Sequence, residues 1–205
     1  MGLRSLTLGL ALATAATGTV SCSAPGPDSD TPPAASSSAA APAEGCEPPV
    51  GQLICQDPEI AALDARLTDA FDRSLATADD PAAARAEQRG WASGRDDCWK
   101  GPDLRRCVLE AYQTRLIELQ LPTLPEPPVV NYRCDDTATP LSARFYPDAD
   151  PSAMVLTWGA DSAILIQQRT ASGIRYAREG AEYREHQGEV TVDFYGNRLN
   201  CTPRQ

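Results

Sequence analysis

Residues 171–188 read ASGIRYAREGAEYREHQG, and this stretch sets the pattern for the second half of the chain. Two turn signals, Ser172-Gly173 and Glu179-Gly180, flank a short run that contains an aromatic residue, Tyr176. Glycine permits the positive φ of a tight turn, and tyrosine offers a half-buried ring with a polar tip. The stretch predicts a loop that presents the Ser172 hydroxyl outward, although a plain β-turn is the simpler interpretation of the same residues.

Apolar residues on both sides of this stretch alternate with polar ones, which is the period of a half-buried strand. The alternating sets are Val130, Tyr132 and Cys134; Leu141, Ala143 and Phe145; Met154, Leu156 and Trp158; Ile164 and Ile166; and Val190, Val192 and Phe194. Turn residues separate these sets. About seven or eight short antiparallel strands are therefore expected, as in a small barrel or sandwich.

The first half of the chain has a helical period instead. Asp-Pro pairs at residues 57–58 and 80–81 each combine a capping residue with a first-turn proline. A third apolar stripe follows Asp103 and ends at Pro122, because proline cannot continue a helix. These signals predict three short helices packed as a small bundle.

Residues 122–128 join the two halves and contain four prolines, which make a stiff linker. The fold class is therefore α+β in two modules. A small disulfide-tied helical bundle at residues 46–121 precedes a small antiparallel β-barrel at residues 129–205. Modules of this size bury little apolar surface and need covalent support.

Seven cysteines can supply that support, six of them as three disulfides in an oxidising compartment. Cys134 and Cys201 lie on the first and last predicted strands, where a bridge would join the two ends of the sheet. The helical module carries Cys46, Cys55, Cys98 and Cys107. We expect the local pairs, Cys46 with Cys55 and Cys98 with Cys107. The alternative is a crossed arrangement that joins the first helix to the third.

Residues 1–21 have the pattern of an export signal, with Arg4 before an uncharged apolar run that is shorter than the about 20 residues of a membrane span. The run ends at Thr19-Val20-Ser21-Cys22, which resembles a lipobox with Thr19 in place of the usual leucine. Acylation of Cys22, for example with palmitate, would anchor the chain to the outer face of the cell membrane. Ordinary cleavage and release is the alternative.

Residues 22–45 are rich in proline, serine and alanine, and their composition predicts a disordered tether between the anchor and the folded modules.

Composition excludes several classes of function. The net charge of −10 opposes binding to nucleic acid and favours a cationic partner. His186 is the only histidine, so no zinc site is predicted. No phosphate-binding glycine loop and no nucleophile elbow are present, and we predict no cofactor, no metal and no catalytic residue.

The Ser172-Gly173-x-x-Tyr176 motif, followed by an aromatic and a basic residue, resembles the motif of the MliC/PliC family of periplasmic lysozyme inhibitors. Tyr-Arg-Cys at residues 132–134 and Cys201 match that family's order, so the resemblance spans about residues 129–202. It implies an eight-stranded antiparallel barrel.

A second resemblance covers about residues 46–120 and is to the LprI N-terminal domain family, whose fold is mainly helical. It rests on Ile54-Cys55, Leu63-Asp64, Trp91, the Arg-Asp-Asp-Cys run at 95–98, Cys107 and residues 112–116. The whole chain thus resembles the LprI-type lysozyme inhibitor lipoproteins.

In the resembling family, a serine and a lysine enter the cleft of c-type lysozyme and bond to its catalytic carboxylates. The resemblance therefore implies a c-type lysozyme as partner, and it places His186 at the position of that lysine. The implied lysozyme-binding residues are Ser172, Gly173, Tyr176 and His186, with Arg175 or Arg184 as an alternative source of positive charge. The competing hypothesis is a non-inhibitory envelope lipoprotein that docks through the helical face around Trp91 and Trp99.

Overall fold

The structure is a computed structural model that describes residues 46–47, 49–135 and 138–204. The predicted export signal, the tether and Cys22 lie outside the described residues. Among these described residues, four α-helices come first, with two short 3-10 turns after the third and the fourth. The helices are α1 (Val50–Gln56), α2 (Pro58–Ala76), α3 (Pro81–Asp96) and α4 (Leu104–Gln120), and the turns are Asp97–Lys100 and Leu121–Thr123.

Capping side chains fix where three of these helices begin. Asp57 accepts hydrogen bonds from the backbone N–H groups of Glu59 and Ile60, and Asp80 caps α3 in the same way. Asp103 caps α4 through the N–H of Arg106. The three predicted helices are confirmed, but the predicted count of three is wrong because α1 was missed. Helix α1 has only seven residues and no capping side chain, so neither a helical period nor a cap marks it in the sequence.

The core of the helical module lies between α2 and α4. Its most buried members are Ile60, Leu63 and Leu67 of α2 and Val108, Tyr112 and Leu116 of α4. Disulfides Cys46–Cys55 and Cys98–Cys107 are formed, which are the local pairs and not the crossed arrangement. No helix among the described residues is long and apolar enough to cross a membrane.

Eight antiparallel strands form a closed barrel in which each strand pairs with the next and the last pairs with the first. The strands are β1 (Val130–Cys134), β2 (Leu141–Tyr146), β3 (Ala153–Trp158), β4 (Asp161–Gln167), β5 (Ile174–Arg178), β6 (Ala181–His186), β7 (Glu189–Phe194) and β8 (Asn197–Pro203). Cys134 and Cys201 are opposite each other on β1 and β8 and form the third disulfide. The predicted fold class is thus confirmed.

Side chains fill the barrel interior, as expected for eight strands. Most of the predicted alternating sets point inward, with Leu141, Met154, Leu156 and Val190 almost fully buried. The prediction for β4 is wrong. Ala163 and Leu165 point into the barrel, whereas Ile164 and Ile166 face outward.

The outward isoleucines of β4 belong to a separate apolar cluster between the barrel and α4. Ile117 of α4 is completely buried there against Ile166 and Ala153, which are cross-strand neighbours. A strand buried on both faces has no clean alternation, which explains the wrong assignment. The described parts of the two modules therefore belong to one compact unit.

Polar contacts from two side chains of α4 reinforce this junction. The Gln120 side chain donates to the Asp150 carbonyl (2.9 Å) and accepts from the Asp150 N–H (3.0 Å). The Glu110 carboxylate accepts from the Glu179 N–H, with 2.9 Å to each oxygen. The first contact holds the β2–β3 loop and the second holds the β5–β6 turn.

Replacing Ile117 with alanine tests the junction. The Ile117→Ala variant should lose about 2–5 kcal/mol of unfolding free energy, because the cavity removes contacts with both modules. Chemical denaturation measures this loss. The matched control is Val129→Ala, at a side chain that is 42% exposed, with an expected change within about 0.5 kcal/mol. Equal losses in the two variants would contradict the packing described here.

Candidate functional site

Two connections lie side by side at one end of the barrel. Residues 168–173 join β4 to β5, and the Gln187-Gly188 turn joins β6 to β7. Ile174 pairs with Glu185 in the β5–β6 register, so the start of β5 lies beside the end of β6. We call residues 168–173 and 185–189 the rim.

Gly173 is where the two parts of the rim touch. Its φ is +70°, a conformation that favours glycine. A Cβ atom at this position would overlap the carbonyl oxygen of Glu185 and would lie 3.4 Å from the Cα of His186. Position 173 therefore requires glycine for two reasons, which are its positive φ and the close approach of residues 185–186.

Ser172 precedes this contact and is exposed. Its carbonyl accepts a hydrogen bond from the Thr170 hydroxyl (2.9 Å), which fixes the loop locally. No residue that the structure describes bonds to the Ser172 hydroxyl. The hydroxyl thus keeps its donor and acceptor capacity available to a partner.

His186 ends β6 on the other half of the rim and is exposed. Gln187 and Gly188 follow with φ values of 53° and 85°, the pattern of a two-residue type I′ hairpin turn. The Glu185 carboxylate accepts from the Gly188 N–H (3.1 Å) and stabilises this turn. His186 pairs with Glu189 across the hairpin. The structure thereby brings Ser172, Gly173 and His186 together.

Arg175 and Arg184 lie on the outer wall of the barrel, where they are opposite each other on β5 and β6. Both bind Glu182: Arg175 donates through two nitrogens (3.0 and 2.6 Å), and Arg184 donates through Nε. The Arg184 hydrogen bond is the largest cause that holds the pKa of Glu182 below its ordinary value. Two guanidinium groups therefore share one carboxylate beside the rim, an arrangement that sequence reasoning missed because it depends on strand register.

Tyr176 lies inside the barrel and is 5% exposed, which differs from the half-buried ring expected from the sequence. Its ring packs against Phe145 (centroids 5.6 Å apart) and Tyr183 (6.4 Å). Burial raises the pKa of its hydroxyl. Tyr176 anchors β5 from within, and it does not offer a surface to a partner.

Tyr183 and Tyr132 form a second interior contact that sequence reasoning missed. Their hydroxyl oxygens are 3.1 Å apart, and burial raises the pKa of both groups. Each buried hydroxyl thus has a hydrogen-bond partner. Together with Tyr176 these rings fix the interior behind β5 and β6.

The comparisons with known proteins agree with this architecture. Residues 132–200 match the family model described as MliC, membrane-bound lysozyme-inhibitor of c-type lysozyme. The chain is 45% identical over 154 residues to Lipoprotein LprI of Mycobacterium bovis, covering 74% of this chain and 78% of that protein. The chain belongs to the LprI lipoprotein family.

Lipoprotein LprI of two Mycobacterium tuberculosis strains, CDC 1551 and H37Rv, matches with the same identity and coverage. No solved structure matches the chain significantly. The resemblance found in the sequence, an LprI-type chain with a C-terminal MliC domain, is confirmed.

Two glycines of the rim allow a matched test of the contact at Gly173. Gly173 and Gly188 both have positive φ, but a Cβ at Gly188 would have no atom within 4 Å. Gly188→Ala should therefore lose only the about 1–2 kcal/mol of the left-handed conformation. Gly173→Ala should lose clearly more, because the Glu185 backbone must also move. Chemical denaturation of both variants measures the difference, and equal losses would argue against a close approach.

Proposed function

We propose that this protein is a non-enzymatic inhibitor of c-type lysozyme that covers the catalytic cleft with its rim. The observation that carries the proposal is the backbone contact at Gly173, which joins Ser172 and His186 into one exposed feature. The family described as an inhibitor of c-type lysozyme supports the choice of partner.

The chemistry of the rim fits that cleft. A c-type lysozyme acts through two carboxyl groups, one as general acid and one as nucleophile or stabiliser. The Ser172 hydroxyl and the His186 ring can each donate a hydrogen bond to a carboxylate. A buried hydrogen bond to a charged group is worth about 1.5–3 kcal/mol, so these two side chains can supply much of the binding energy.

Charge supports the same partner. The chain has a net charge of −10, and Glu185 and Glu189 flank His186 on the rim. A cationic enzyme is attracted to such a surface, mainly through faster association. Acidic groups around a few hydrogen-bond donors therefore suit an inhibitor whose target is positively charged.

The remaining sequence-predicted residues have supporting roles in this proposal. Arg175 and Arg184 are bound to Glu182, so they shape the wall beside the rim and are not its main donors. Tyr176 holds β5 from inside the barrel. His186 remains the group that takes the place of the family's lysine.

We propose that the inhibitor is exported and anchored to the outer face of the cell membrane through an acylated Cys22. The lipobox-like residues 19–22 and the apolar run before them support this localisation, as does the name of the relatives, Lipoprotein LprI. Residues 22–45 would then separate the inhibitor from the membrane. An anchored inhibitor protects the cell's own peptidoglycan.

Removing the two donors tests the proposed function. In a titration of c-type lysozyme digesting cell-wall substrate, Ser172→Ala and His186→Ala should each raise the inhibition constant about 10-fold to 150-fold, the equivalent of one charged hydrogen bond. The soluble form for this assay is residues 22–205 with Cys22→Ser. Ser93→Ala, at an exposed serine on α3, is the matched control and should inhibit like the parent. Full inhibition by the Ser172→Ala, His186→Ala double variant would disprove this role for the rim.

Restoring the family's lysine gives a test in the opposite direction. His186→Lys should strengthen inhibition, because a lysine ammonium group carries a full positive charge and forms a strong charge-assisted hydrogen bond to a carboxylate. The gain should shrink as salt is added, since ions screen exposed charges. Inhibition constants at two salt concentrations measure both effects, and a weaker His186→Lys inhibitor would place position 186 outside the cleft.

A further inference from the structure

A groove of about 510 Å³ lies between the proline-rich linker and the second strand of the barrel. Residues 124–128 of the linker, Val130 at the start of β1 and residues 145–148 at the end of β2 line it. Because neighbouring strands are antiparallel, the end of β2 lies at the same end of the barrel as the ends of β4 and β6, where the rim is. We call this cavity the linker groove.

The walls of the linker groove are mainly apolar and are held in place. Most of the lining residues are prolines or large apolar side chains, and proline has a fixed φ and no N–H donor. Leu124 packs into the apolar cluster around Ile117, and Glu126 forms an ion pair with Arg144 (2.9 Å). An apolar side chain that enters the groove therefore meets a wall that needs little ordering.

Phe145 connects the linker groove to the part of the barrel behind the rim. Its ring packs against Tyr176 of β5 (5.6 Å between centroids) and Tyr183 of β6 (5.7 Å). Ile174 lies on the same face of β5 as Tyr176, directly after Gly173, and is 40% exposed. Apolar surface is thus present on both sides of this end of the barrel.

The rim alone is too small to form a stable interface with another protein. It consists of six residues in one connection and five in the other, whereas each partner in a typical stable complex contributes about 20–30 residues. A partner seated on the rim must therefore contact further surface at the same end of the barrel. The linker groove supplies apolar surface there, which is what the centre of an interface requires.

The charges beside the linker groove indicate a cationic partner. Glu126 and Asp148 are the charged residues among the described residues that line it. Glu126 is paired with Arg144, but the exposed Asp148 carboxylate has no hydrogen bond or ion pair with any residue that the structure describes. A free carboxylate beside an apolar groove complements an apolar side chain on a positively charged surface.

We propose that the linker groove is a second contact for the same lysozyme molecule that the rim covers. The groove receives an apolar side chain from a positively charged part of that enzyme's surface. This inference rests on the proposed function and adds to it, since it gives the linker between the two modules a part in binding.

The test uses residues 22–205 with Cys22→Ser and follows backbone amide shifts by NMR as a c-type lysozyme is added. Signals of Val130, Tyr146 and Asp148 should shift together with those of the rim. Shifts at the rim without shifts at the linker groove would overturn this inference and leave the proposed function standing. Absence of shifts at both places would overturn both.

Other occupants of the groove would be recognised in the chain alone. Shifts of Tyr146 and Asp148 that grow with the concentration of the chain itself would assign the groove to a second copy. Nuclear Overhauser contacts from residues 23–45 to Tyr146 would assign it to the N-terminal part of the same chain. Either result would overturn the inference.

Pro128→Ser tests the apolar contact, because Pro128 is exposed and lines the groove. The inhibition constant should rise at least about threefold, mainly through faster dissociation, as apolar area is lost from the interface. Pro140→Ser is the matched control, at an exposed proline that precedes β2 at the opposite end of the barrel. It should inhibit like the parent, and equal losses in the two variants would overturn the inference.

Asp148→Lys tests the charge beside the groove. The inhibition constant should rise at least about fivefold at low salt, and the effect should shrink as salt is added. Asp161→Lys changes the net charge equally at an exposed carboxylate at the opposite end of the barrel, so its effect should be clearly smaller. Equal effects would show that net charge and not position decides, which would contradict a contact at the linker groove.

Discussion

Closure of the barrel is the constraint on which the rest of the structure depends. β1 pairs with β8, and the Cys134–Cys201 disulfide joins them at neighbouring positions. Closure leaves no sheet edge exposed and gives every strand one inward face. Within the closed barrel, the β5–β6 register places Gly173 against Glu185 and so assembles the rim from two separate connections.

The fourth helix links this barrel to the helical module. One face of α4 carries Tyr112 and Leu116 into the core of the helices, and another carries Ile117 onto the outer side of β4. Gln120 and Glu110 add hydrogen bonds to connections at opposite ends of the barrel. The helical module therefore supports loops that belong to the barrel.

The sequence predicted much of this arrangement. The starts of α2 and α3 were predicted correctly from Asp57 and Asp80, because capping is a local interaction. The twofold alternation of apolar residues located most of the strands. Ile164 and Ile166 were assigned to the wrong face, because only the tertiary contact with α4 makes the outside of β4 apolar. Helix α1 was missed because seven residues are too few to show a period.

The candidate site was predictable only in part. Ser172, Gly173 and His186 could be named from the motif, and their adjacency follows from pairing between strands. The Glu182 pairing with Arg175 and Arg184 depends on register and long side chains, which no local pattern specifies. The burial of Tyr176 likewise depends on which face of β5 points into the barrel interior.

The most direct test of the central claim is amide hydrogen exchange of the soluble chain, alone and in an equimolar complex with c-type lysozyme. Binding through the rim predicts slower exchange at residues 168–173 and 185–189, with little change around Trp91 and Trp99. Protection confined to the helical module, or no protection anywhere, would contradict an inhibitor that acts through the rim.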